Sequence, residues 1–360
     1  MKILHIIPTL GIGGAEKLLV DLLHNSQHEN AKSDVAVLSN YDNVYEDDIK
    51  DNCNAYFTSN SPSVYHMKNI LFIKRLLKAG TYDLVHCHLY AAQLFTPIAK
   101  IIGNSKIPLV TTEHSTNNRR RNIKFFKPID TMMYRHYEKI ICISQGTKDE
   151  MDSYLPNLAK KSYIIQNGIN LNKFKDAEPV NWYQELTSYN GEKIILMVAS
   201  FRHQKDPYTL IRAAKLLDTS YKVVFVGEGE LLGDAITFAK YEKVSNVEFL
   251  GKRKDIPELM KAAHLFVLSS KWEGFGLVVV EAVASGLDVI GSDVSGLRDV
   301  VQDLCGQVFA PGDERELAQK INNVDFMKKL IPQELEKYDI ANTVVSYIQL
   351  YKDILEKKKD

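Results

Sequence analysis

Short apolar runs that alternate with longer stretches of helical periodicity are the feature that most constrains how this chain can fold. One series of such runs lies between residues 3 and 165, and a second lies between residues 194 and 309. The alternation is typical of parallel sheets built from strand–helix–strand units. Because the series occurs twice, the sequence predicts an α/β protein with two doubly wound parallel sheets.

The loops that follow the predicted strands are where site residues are expected, because ligands of such sheets bind outside the carboxyl ends of the strands. The strands predicted for the first sheet are residues 3–7, 34–38, 84–86, 109–112, 139–143 and 163–165. Those predicted for the second sheet are residues 194–199, 223–226, 247–250, 265–268, 289–291 and 307–309.

The length of 360 residues suits two domains. A polar, irregular stretch at residues 170–190 follows the turn signal Asn167–Gly168 and separates the two series. We therefore predict a first domain at residues 1–175 and a second at residues 190–335. Residues 340–355 carry apolar side chains at helical spacing and need an apolar surface to pack on.

Composition argues against several classes of protein. The 45 basic residues equal the 45 acidic ones, so no overall charge draws the chain to nucleic acid. The four cysteines form no CxxC pair, which favours free thiols in a cytoplasmic protein. No stretch reaches the ~18 consecutive apolar residues of a membrane-spanning helix.

A glycine-rich segment follows the first predicted strand and precedes a helix. Gly13 and Gly14 let backbone N–H groups at the helix start approach a phosphate or a sugar. Glu16 stands where the NAD-binding fingerprint has its third glycine, which disfavours a dinucleotide. A tight turn without a ligand is the alternative interpretation.

Histidines stand at the ends of two predicted strands of the first half. His114 follows one strand and is placed to donate a hydrogen bond to a sugar hydroxyl, although a strand-end histidine is often structural. His86, Cys87 and His88 have the composition of a metal cluster. Because successive side chains of a strand point to opposite faces, the three are not expected to share one ion.

Two cations, Arg202 and Lys205, follow the first strand of the second series. At this edge of a sheet they are placed to neutralise a diphosphate leaving group. A solvated basic loop is the alternative interpretation.

Two carboxylates flank a glycine-rich turn in the second half. Glu273 lies on a predicted strand-to-helix loop, and Glu281 lies eight positions later on the helix, among apolar neighbours. A buried acid needs a partner, and vicinal sugar hydroxyls suit a carboxylate. The start of the same helix offers backbone N–H groups to a phosphate.

Taken together, these residues resemble the family 4 retaining glycosyltransferases, whose GT-B fold has two Rossmann-like domains facing each other across a cleft. The resemblance covers essentially the whole chain and is most specific at the Glu-x7-Glu element formed by Glu273 and Glu281. It extends to residues 13–16, His114, Ser144, 167–169, Lys205, 227–229 and 249–251.

The resemblance implies a role for each matching residue. Glu281 would bind the ribose hydroxyls, Glu273 the donor sugar hydroxyls, and Lys205 the diphosphate. The remaining assignments are the backbone of Phe275, Gly276, Leu277 and Val278 to the diphosphate, Gly13 and Gly14 to the donor phosphate and acceptor, His114 to the donor sugar, and the Gly227 turn with Gly251 and Arg253 to the nucleotide base. Many members have an arginine five residues before the lysine, where this chain has Ser200, and Arg202 is the candidate to replace it.

The resemblance also implies transfer with retention of anomeric configuration, with the leaving phosphate accepting the acceptor proton. A hexose or N-acetylhexosamine would move from a nucleotide diphosphate sugar, UDP being favoured, to a saccharide or lipid-linked saccharide in bacterial surface-polysaccharide synthesis. No cofactor and no obligatory metal are expected, because Arg202, Lys205 and helix N-termini can hold the diphosphate. The terminal helix, residues 340–360, would cross back onto the first domain.

Two other functions stay open at this point. A nucleotide-sugar epimerase can be built on the same double Rossmann frame, but the Glu-x7-Glu element is not its mark. A non-catalytic nucleotide-sugar-binding partner is disfavoured, because His114, Lys205, Glu273 and Glu281 are all present.

A basic and aromatic segment follows His114. Cations attract anionic headgroups and aromatic side chains enter the interface, so the segment predicts a peripheral enzyme on the inner face of the cell membrane. A mobile loop that steers an anionic substrate is the alternative. The residues of this predicted membrane patch are Arg119, Arg120, Arg121, Lys124, Phe125, Phe126 and Lys127.

Overall fold

The computed structural model describes residues 1–11, 13–26, 31–41, 43–116, 118–326 and 332–357, and divides into two units. The first unit comprises Met1–Gly168 and Ile340–Asp360, and the second comprises Ile169–Asp339. Each unit is built on one parallel sheet with helices in the connections.

The strands of the described chain are β1 (Lys2–Ile7), β2 (Lys32–Ser39), β3 (Ala55–Ser61), β4 (Leu84–His88), β5 (Leu109–Glu113), β6 (Lys139–Cys142), β7 (Ser162–Ile164), β8 (Lys193–Val198), β9 (Tyr221–Val226), β10 (Val247–Phe249), β11 (Leu265–Leu268), β12 (Asp288–Ser292) and β13 (Gln307–Phe309). The helices are α1 (Gly14–Ser26), α2 (Glu46–Asn52), α3 (Lys68–Ala79), α4 (Leu89–Gly103), α5 (Phe126–Arg135), α6 (Gln145–Tyr154), α7 (Leu171–Lys175), α8 (Trp182–Glu185), α9 (Pro207–Ala214), α10 (Leu232–Tyr241), α11 (Ile256–Ala262), α12 (Leu277–Ala284), α13 (Arg298–Asp303), α14 (Glu314–Asn322) and α15 (Ile340–Glu356). Short 3₁₀ turns lie at Arg119–Asn122, Pro156–Lys161 and Gln333–Tyr338.

Both sheets wind in the same way. The strand order is β3-β2-β1-β4-β5-β6-β7 in the first unit and β10-β9-β8-β11-β12-β13 in the second, with all pairs parallel. The order reverses between β1 and β4, and again between β8 and β11. Ligands of doubly wound sheets bind at the carboxyl ends of the strands beside such a reversal. The predicted α/β class with two Rossmann-like sheets is confirmed.

The terminal helix α15 belongs to the first unit. Its buried apolar face packs in one cluster with residues of β1, β4, β5 and α1, including Ile3, Leu18, Leu84 and Val110. Two of its tyrosines also reach polar groups of the sheet: the Tyr351 hydroxyl lies 2.7 Å from His86 Nδ1, and the Tyr347 hydroxyl lies 3.2 Å from Thr112 Oγ1. The last helix of the chain therefore covers one face of the first sheet.

Strand β3 is absent from the sequence prediction. Its second half reads Thr-Ser-Asn-Ser and it lies at the edge of the sheet, where a polar strand protects an unpaired backbone edge. Such a segment lacks the apolar run by which the other strands are identified.

The boundary between the units also differs from the expected one. The first unit ends at Gly168 rather than at residue 175, and the stretch 170–190, expected to separate the domains, belongs to the second unit. The reason is that α7 packs against α11 and α12. Among the described residues, no helix combines the length and apolar character needed to cross a bilayer.

Candidate functional site

Two residues predicted for the donor site meet at the strand reversal of the second sheet. Lys205 follows β8 and Glu273 follows β11, and their side chains form an ion pair that is largely shielded from solvent. The Glu273 carboxylate also accepts hydrogen bonds from the Ser270 hydroxyl at 3.3 Å and the Gly274 N–H at 3.2 Å. Residues 68 positions apart thus form one polar centre at the edge where a ligand is expected.

The second carboxylate lies on α12. Glu281 is buried on this helix, as its apolar neighbours indicate, and the helix begins directly after Gly276. Gly276 has a φ of 83°, and a Cβ there would lie 2.7 Å from Leu297 Cδ1, so this turn favours glycine. Before it, Phe275 is buried with its ring edge-on to Tyr338.

The N-terminus of α12 is less deeply buried than the rest of the helix. Leu277 and Val278 are only half-buried, whereas the following residues of the helix are buried. The first N–H groups of a helix have no partner within the helix and carry a partial positive charge. This arrangement can bind a phosphate.

The loop after β8 carries the second predicted cation. The Arg202 side chain is exposed and makes no hydrogen bond or ion pair within the part of the chain that the structure describes. The Lys205 N–H donates to the Arg202 carbonyl at 2.9 Å, which closes a tight turn. Asp206 follows in the left-handed region at a φ of 43°, and its carboxylate accepts from the Thr209 hydroxyl at 2.7 Å.

The residues predicted to contact the base lie on adjoining turns of the second sheet. The Gly227 N–H donates to the Gly251 carbonyl at 2.8 Å. Arg253 donates from Nε to Asp255 at 2.8 Å and from a terminal nitrogen to Glu185 at 2.6 Å. The bonds to Asp255 and then to Glu185 raise the pKa of Arg253. Its charge is thus balanced within the protein by two carboxylates.

In the first unit, the glycine segment lies at the strand reversal beside β1. The helix α1 begins at Gly14, and Glu16 in its first turn is buried. A Cβ at Gly13 would lie 2.3 Å from the Glu16 carboxylate, so a side chain here would force Glu16 to move. Ile12 lies outside the described residues.

His114 directly follows β5. Both of its ring nitrogens are buried and find no hydrogen-bond partner among the described residues. Burial lowers its pKa to about 4, although the charge of Glu113 acts in the opposite direction. At neutral pH the ring is therefore uncharged, with one N–H donor and one acceptor.

A buried histidine cluster lies beneath this position. His5 on β1 and His86 and His88 on β4 point to the same face, and one nitrogen of each lies within 4.8 Å of the others. His5 Nδ1 lies 3.2 Å from His88 Nε2, while His86 bonds Tyr351 and Thr112 through its two nitrogens. An ion bound to all three would have to break one of these bonds.

The sequence predicted that Cys87 points to the opposite face of the strand from His86 and His88, which is correct. It did not identify His5 as the third histidine of the cluster. Cys87 packs into the apolar core on the other face of β4. The available signal was the strand order: β1 lies beside β4 in this topology, and His5 pairs with His86 in register.

The structure corrects the predicted membrane patch at two arginines. Arg121 pairs with Glu113 at 2.7 Å, and its side chain is only 7% exposed. Arg120 pairs with Asp130 at 3.0 Å, and its side chain is 10% exposed. The Tyr134 hydroxyl donates to Glu113 and accepts from Arg120, which joins the two pairs. These cations bind inward because buried carboxylates need partners.

The rest of the patch divides by exposure. Lys124, Phe125 and Lys127 are exposed, and Phe126 is half-buried. The side chain of Arg119 lies outside the description. The surface-facing part of the segment is therefore its second half.

Two families match the chain, one in each half. The family described as Glycosyltransferase Family 4 matches residues 12–173, and that described as Glycosyl transferases group 1 matches residues 181–329. Together they take in most of the chain. The match favours a transferase over an epimerase or a non-catalytic binding protein.

Two of the similar proteins are bacterial glycosyltransferases whose names state their substrates. UDP-Gal:alpha-D-GlcNAc-diphosphoundecaprenol alpha-1,3-galactosyltransferase of Escherichia coli is 27% identical over 84% of this chain and 82% of its own length. GalNAc-alpha-(1->4)-GalNAc-alpha-(1->3)-diNAcBac-PP-undecaprenol alpha-1,4-N-acetyl-D-galactosaminyltransferase of Campylobacter jejuni is 25% identical over 98% of this chain and 99% of its own length.

The fold of the whole chain matches solved structures of the GT-B type. HepE of Anabaena, crystallised in complex with UDP-glucose, aligns with a TM-score of 0.82 over 99% of this chain and 100% of its own, at 21% identity. The predicted GT-B fold is confirmed by this likeness and by the two sheets described above. With both halves matched in their expected order, the chain belongs to the family 4 glycosyltransferases.

Proposed function

We propose that the protein transfers a hexose or N-acetylhexosamine from a UDP-sugar to a hydroxyl of a lipid-linked saccharide, with retention of configuration and without an obligatory metal. The observation that carries the proposal is the largely shielded Lys205–Glu273 pair close in sequence to the start of α12, the helix that also bears Glu281. The named relatives support the choice of substrates, since one uses UDP-Gal and both act on saccharides linked through diphosphate to undecaprenol.

Binding of the donor uses the groups of the second unit. Glu281 accepts hydrogen bonds from the ribose hydroxyls, and Glu273 accepts from hydroxyls of the donor sugar. The diphosphate binds the N-terminus of α12 and draws the Lys205 ammonium towards it, with Arg202 as the second cation. Such groups stabilise the negative charge that grows on the leaving phosphate, so their effect is larger in the transition state than in the ground state.

The chemical step exchanges one bond for another at the anomeric carbon. The bond to the phosphate oxygen breaks, the acceptor oxygen bonds to the same face, and the leaving phosphate takes the acceptor proton. We assign to His114 a hydrogen bond with the transferred sugar, because its buried nitrogens have no partner among the described residues. A neutral imidazole suits this role, since it can donate without placing a second positive charge beside the oxocarbenium-like carbon.

We further propose that the first unit attaches to anionic membrane surfaces, in keeping with a lipid-linked acceptor. Its surface exposes Met67 and Leu71 around the start of α3 and Phe125 before α5. Helix α3 also carries four basic residues and no acid. Cations and exposed apolar side chains together favour binding at a bilayer surface.

The test is incubation of the purified protein with labelled UDP- and GDP-sugars and a diphosphate-linked N-acetylhexosamine on a short prenyl chain. We expect transfer from a UDP-sugar, with the anomeric configuration retained by NMR and activity preserved in EDTA. The epimer alone, or no turnover with any donor, contradicts the proposal.

Variants at the polar centre make the test specific. Glu281→Ala and Lys205→Ala each remove a charged hydrogen bond and should lower kcat/KM by about 30- to 1000-fold. Lys215→Ala is the matched control, since it breaks another lysine–glutamate pair of the same unit, 2.8 Å long and solvent-exposed. His114→Ala should lower turnover while leaving UDP affinity, measured by calorimetry, close to that of the wild type. Normal kinetics in the first two variants would place the donor elsewhere.

A further inference from the structure

A groove of about 570 Å³ opens on the first unit, and none of its lining residues is among those assigned to the donor. Tyr65 follows β3, while Tyr90 and Leu94 lie on α4, which follows β4. The remaining lining residues come from the segment after β5, with Asn118 and Arg120 ahead of α5 and Phe126 at its start. The groove is therefore formed largely by segments at the carboxyl edge of the sheet, where ligands of this fold bind.

The lining combines aromatic rings with planar polar groups. The rings of Tyr65 and Tyr90 lie 6.5 Å apart and are tilted by 57°, and Phe126 adds a third ring. The Arg120 guanidinium lies 3.6 Å from the centre of the Tyr90 ring, which fixes its plane. Rings of this kind offer apolar faces to a ligand, while Arg120 and Asn118 offer directed hydrogen bonds.

The charge balance of the groove favours a neutral ligand. Arg120 donates from Nε to the buried carboxylate of Asp130 at 3.0 Å and from a terminal nitrogen to the Tyr134 hydroxyl at 3.3 Å. Its positive charge is thus already compensated at short range. A diphosphate would compete with Asp130 for the same guanidinium. Asn118 Oδ1 already accepts from the Arg120 backbone N–H at 3.3 Å, which leaves the N–H donors of its amide for a ligand, and a purely apolar chain would not use them.

We propose that this groove binds a saccharide ring of the acceptor, with Tyr65 and Phe126 packing on its C–H faces and with Asn118 and Arg120 bonding its hydroxyls. The proposal rests on the transferase function proposed above and assigns the acceptor specificity of that function to these residues. Sugar rings present the combination that the groove matches, since they have apolar C–H faces and a rim of hydroxyls but no charge.

The experiment measures saccharide binding by the protein when no nucleotide sugar is present, so that no transfer occurs. Saturation-transfer NMR is recorded with methyl glycosides of glucose, galactose and their N-acetyl forms, singly and as disaccharides. With the wild-type protein we expect magnetisation to pass from the protein to the ring protons of at least one saccharide. Tyr65→Ala or Phe126→Ala should each lower the affinity for that saccharide on the order of tenfold. Tyr65→Phe keeps the ring and should retain binding.

Tyr163→Ala is the control, because Tyr163 is a comparably exposed tyrosine on β7 that does not line the groove. It should bind saccharide like the wild type. Saccharide signals that are absent from the wild type, unchanged by both alanine variants, or displaced by inorganic diphosphate at equal concentration would overturn the proposal. Loss of the transferase function itself is read separately, as failure of the wild type to transfer from any nucleotide sugar.

Discussion

Four histidines of the first unit have buried ring nitrogens and are uncharged at neutral pH. Burial lowers the pKa of His5 to about 3 and that of His114 to about 4, and it lowers those of His86 and His88 well below the ordinary value. The negative charges of Asp34 on His5 and of Glu113 on His114 oppose this lowering of the pKa without reversing it. Each histidine therefore releases its proton on folding in mildly acidic solution.

This arrangement predicts acid sensitivity. Below the unfolded-state pKa near 6.5, the unfolded chain binds protons that the folded chain cannot hold, so the free energy of unfolding falls as pH decreases towards 4. Each such histidine contributes about 1.4 kcal/mol per pH unit once fully protonated in the unfolded state. Urea unfolding between pH 5 and 7.5 should show this slope, and His88→Asn should make it shallower. Equal slopes in the two proteins would show that His88 titrates normally.

Single positions show what sequence can and cannot locate. Lys205 and Glu273 were predicted to follow strands and Glu281 to lie on the next helix, and the structure has them there; their roles towards a donor stay a prediction. The side chains of Arg120 and Arg121 point into the protein because they pair with the buried acids Asp130 and Glu113. Counting charges along the sequence does not reveal these pairs.

At the scale of elements, the segment from the 3₁₀ turn at Arg119–Asn122 to α5 has two distinct parts. Its first part is tied to the sheet through Glu113 and to α5 through Asp130. Its second part exposes Lys124, Phe125 and Lys127. The two parts should respond differently to substitution.

We expect Arg121→Ser to destabilise the fold, because it leaves Glu113 buried without its cation, at a cost of about 3–5 kcal/mol. Phe125→Ser and Lys124→Ser should leave stability almost unchanged but weaken sedimentation with anionic vesicles, by about fivefold for the lost cation. High salt should reduce vesicle binding of the wild type. A stable Arg121→Ser protein that no longer binds vesicles would restore that arginine to the membrane surface.

Elements with strong apolar patterns were predicted close to their observed bounds, such as the central strands β1 and β11, whereas the edge strand β3 was not predicted. The difference has a physical cause. A central parallel strand must be apolar on both faces because helices cover it, but an edge strand can be polar and still pair along one side. The pairing of β3 with β2 depends on the tertiary structure and cannot be predicted from the residues of β3 alone.

At the scale of the whole molecule, the first unit is discontinuous in sequence, since α15 returns to it after the second unit is complete. The helix buries Ile348 at 2% exposure within the cluster that covers β1, β4 and β5, while Val345 on the same helix is 54% exposed. The apolar periodicity of residues 340–355 predicted that this helix packs on an apolar surface. That the surface belongs to the first domain was implied only by the family resemblance.

This packing predicts a selective loss of stability. Ile348→Ala should lower the free energy of unfolding of the first unit by about 2–5 kcal/mol, whereas Val345→Ala should change it by less than about 0.5 kcal/mol. Both tryptophans, Trp182 and Trp272, lie in the second unit, so their fluorescence reports that unit alone. We expect circular dichroism to show an earlier transition that tryptophan fluorescence does not follow. An unchanged dichroism midpoint would mean that α15 is dispensable.

The return of α15 also fixes an order of events during synthesis. The ribosome makes β1 to β7 before the second unit, but α15, which covers one apolar face of their sheet, is made only after the second unit. The second unit is continuous in the chain and can complete its core as soon as it emerges. The first unit can therefore complete its core only after the second unit has been made, and nascent chains that stall before residue 340 carry an uncovered sheet face.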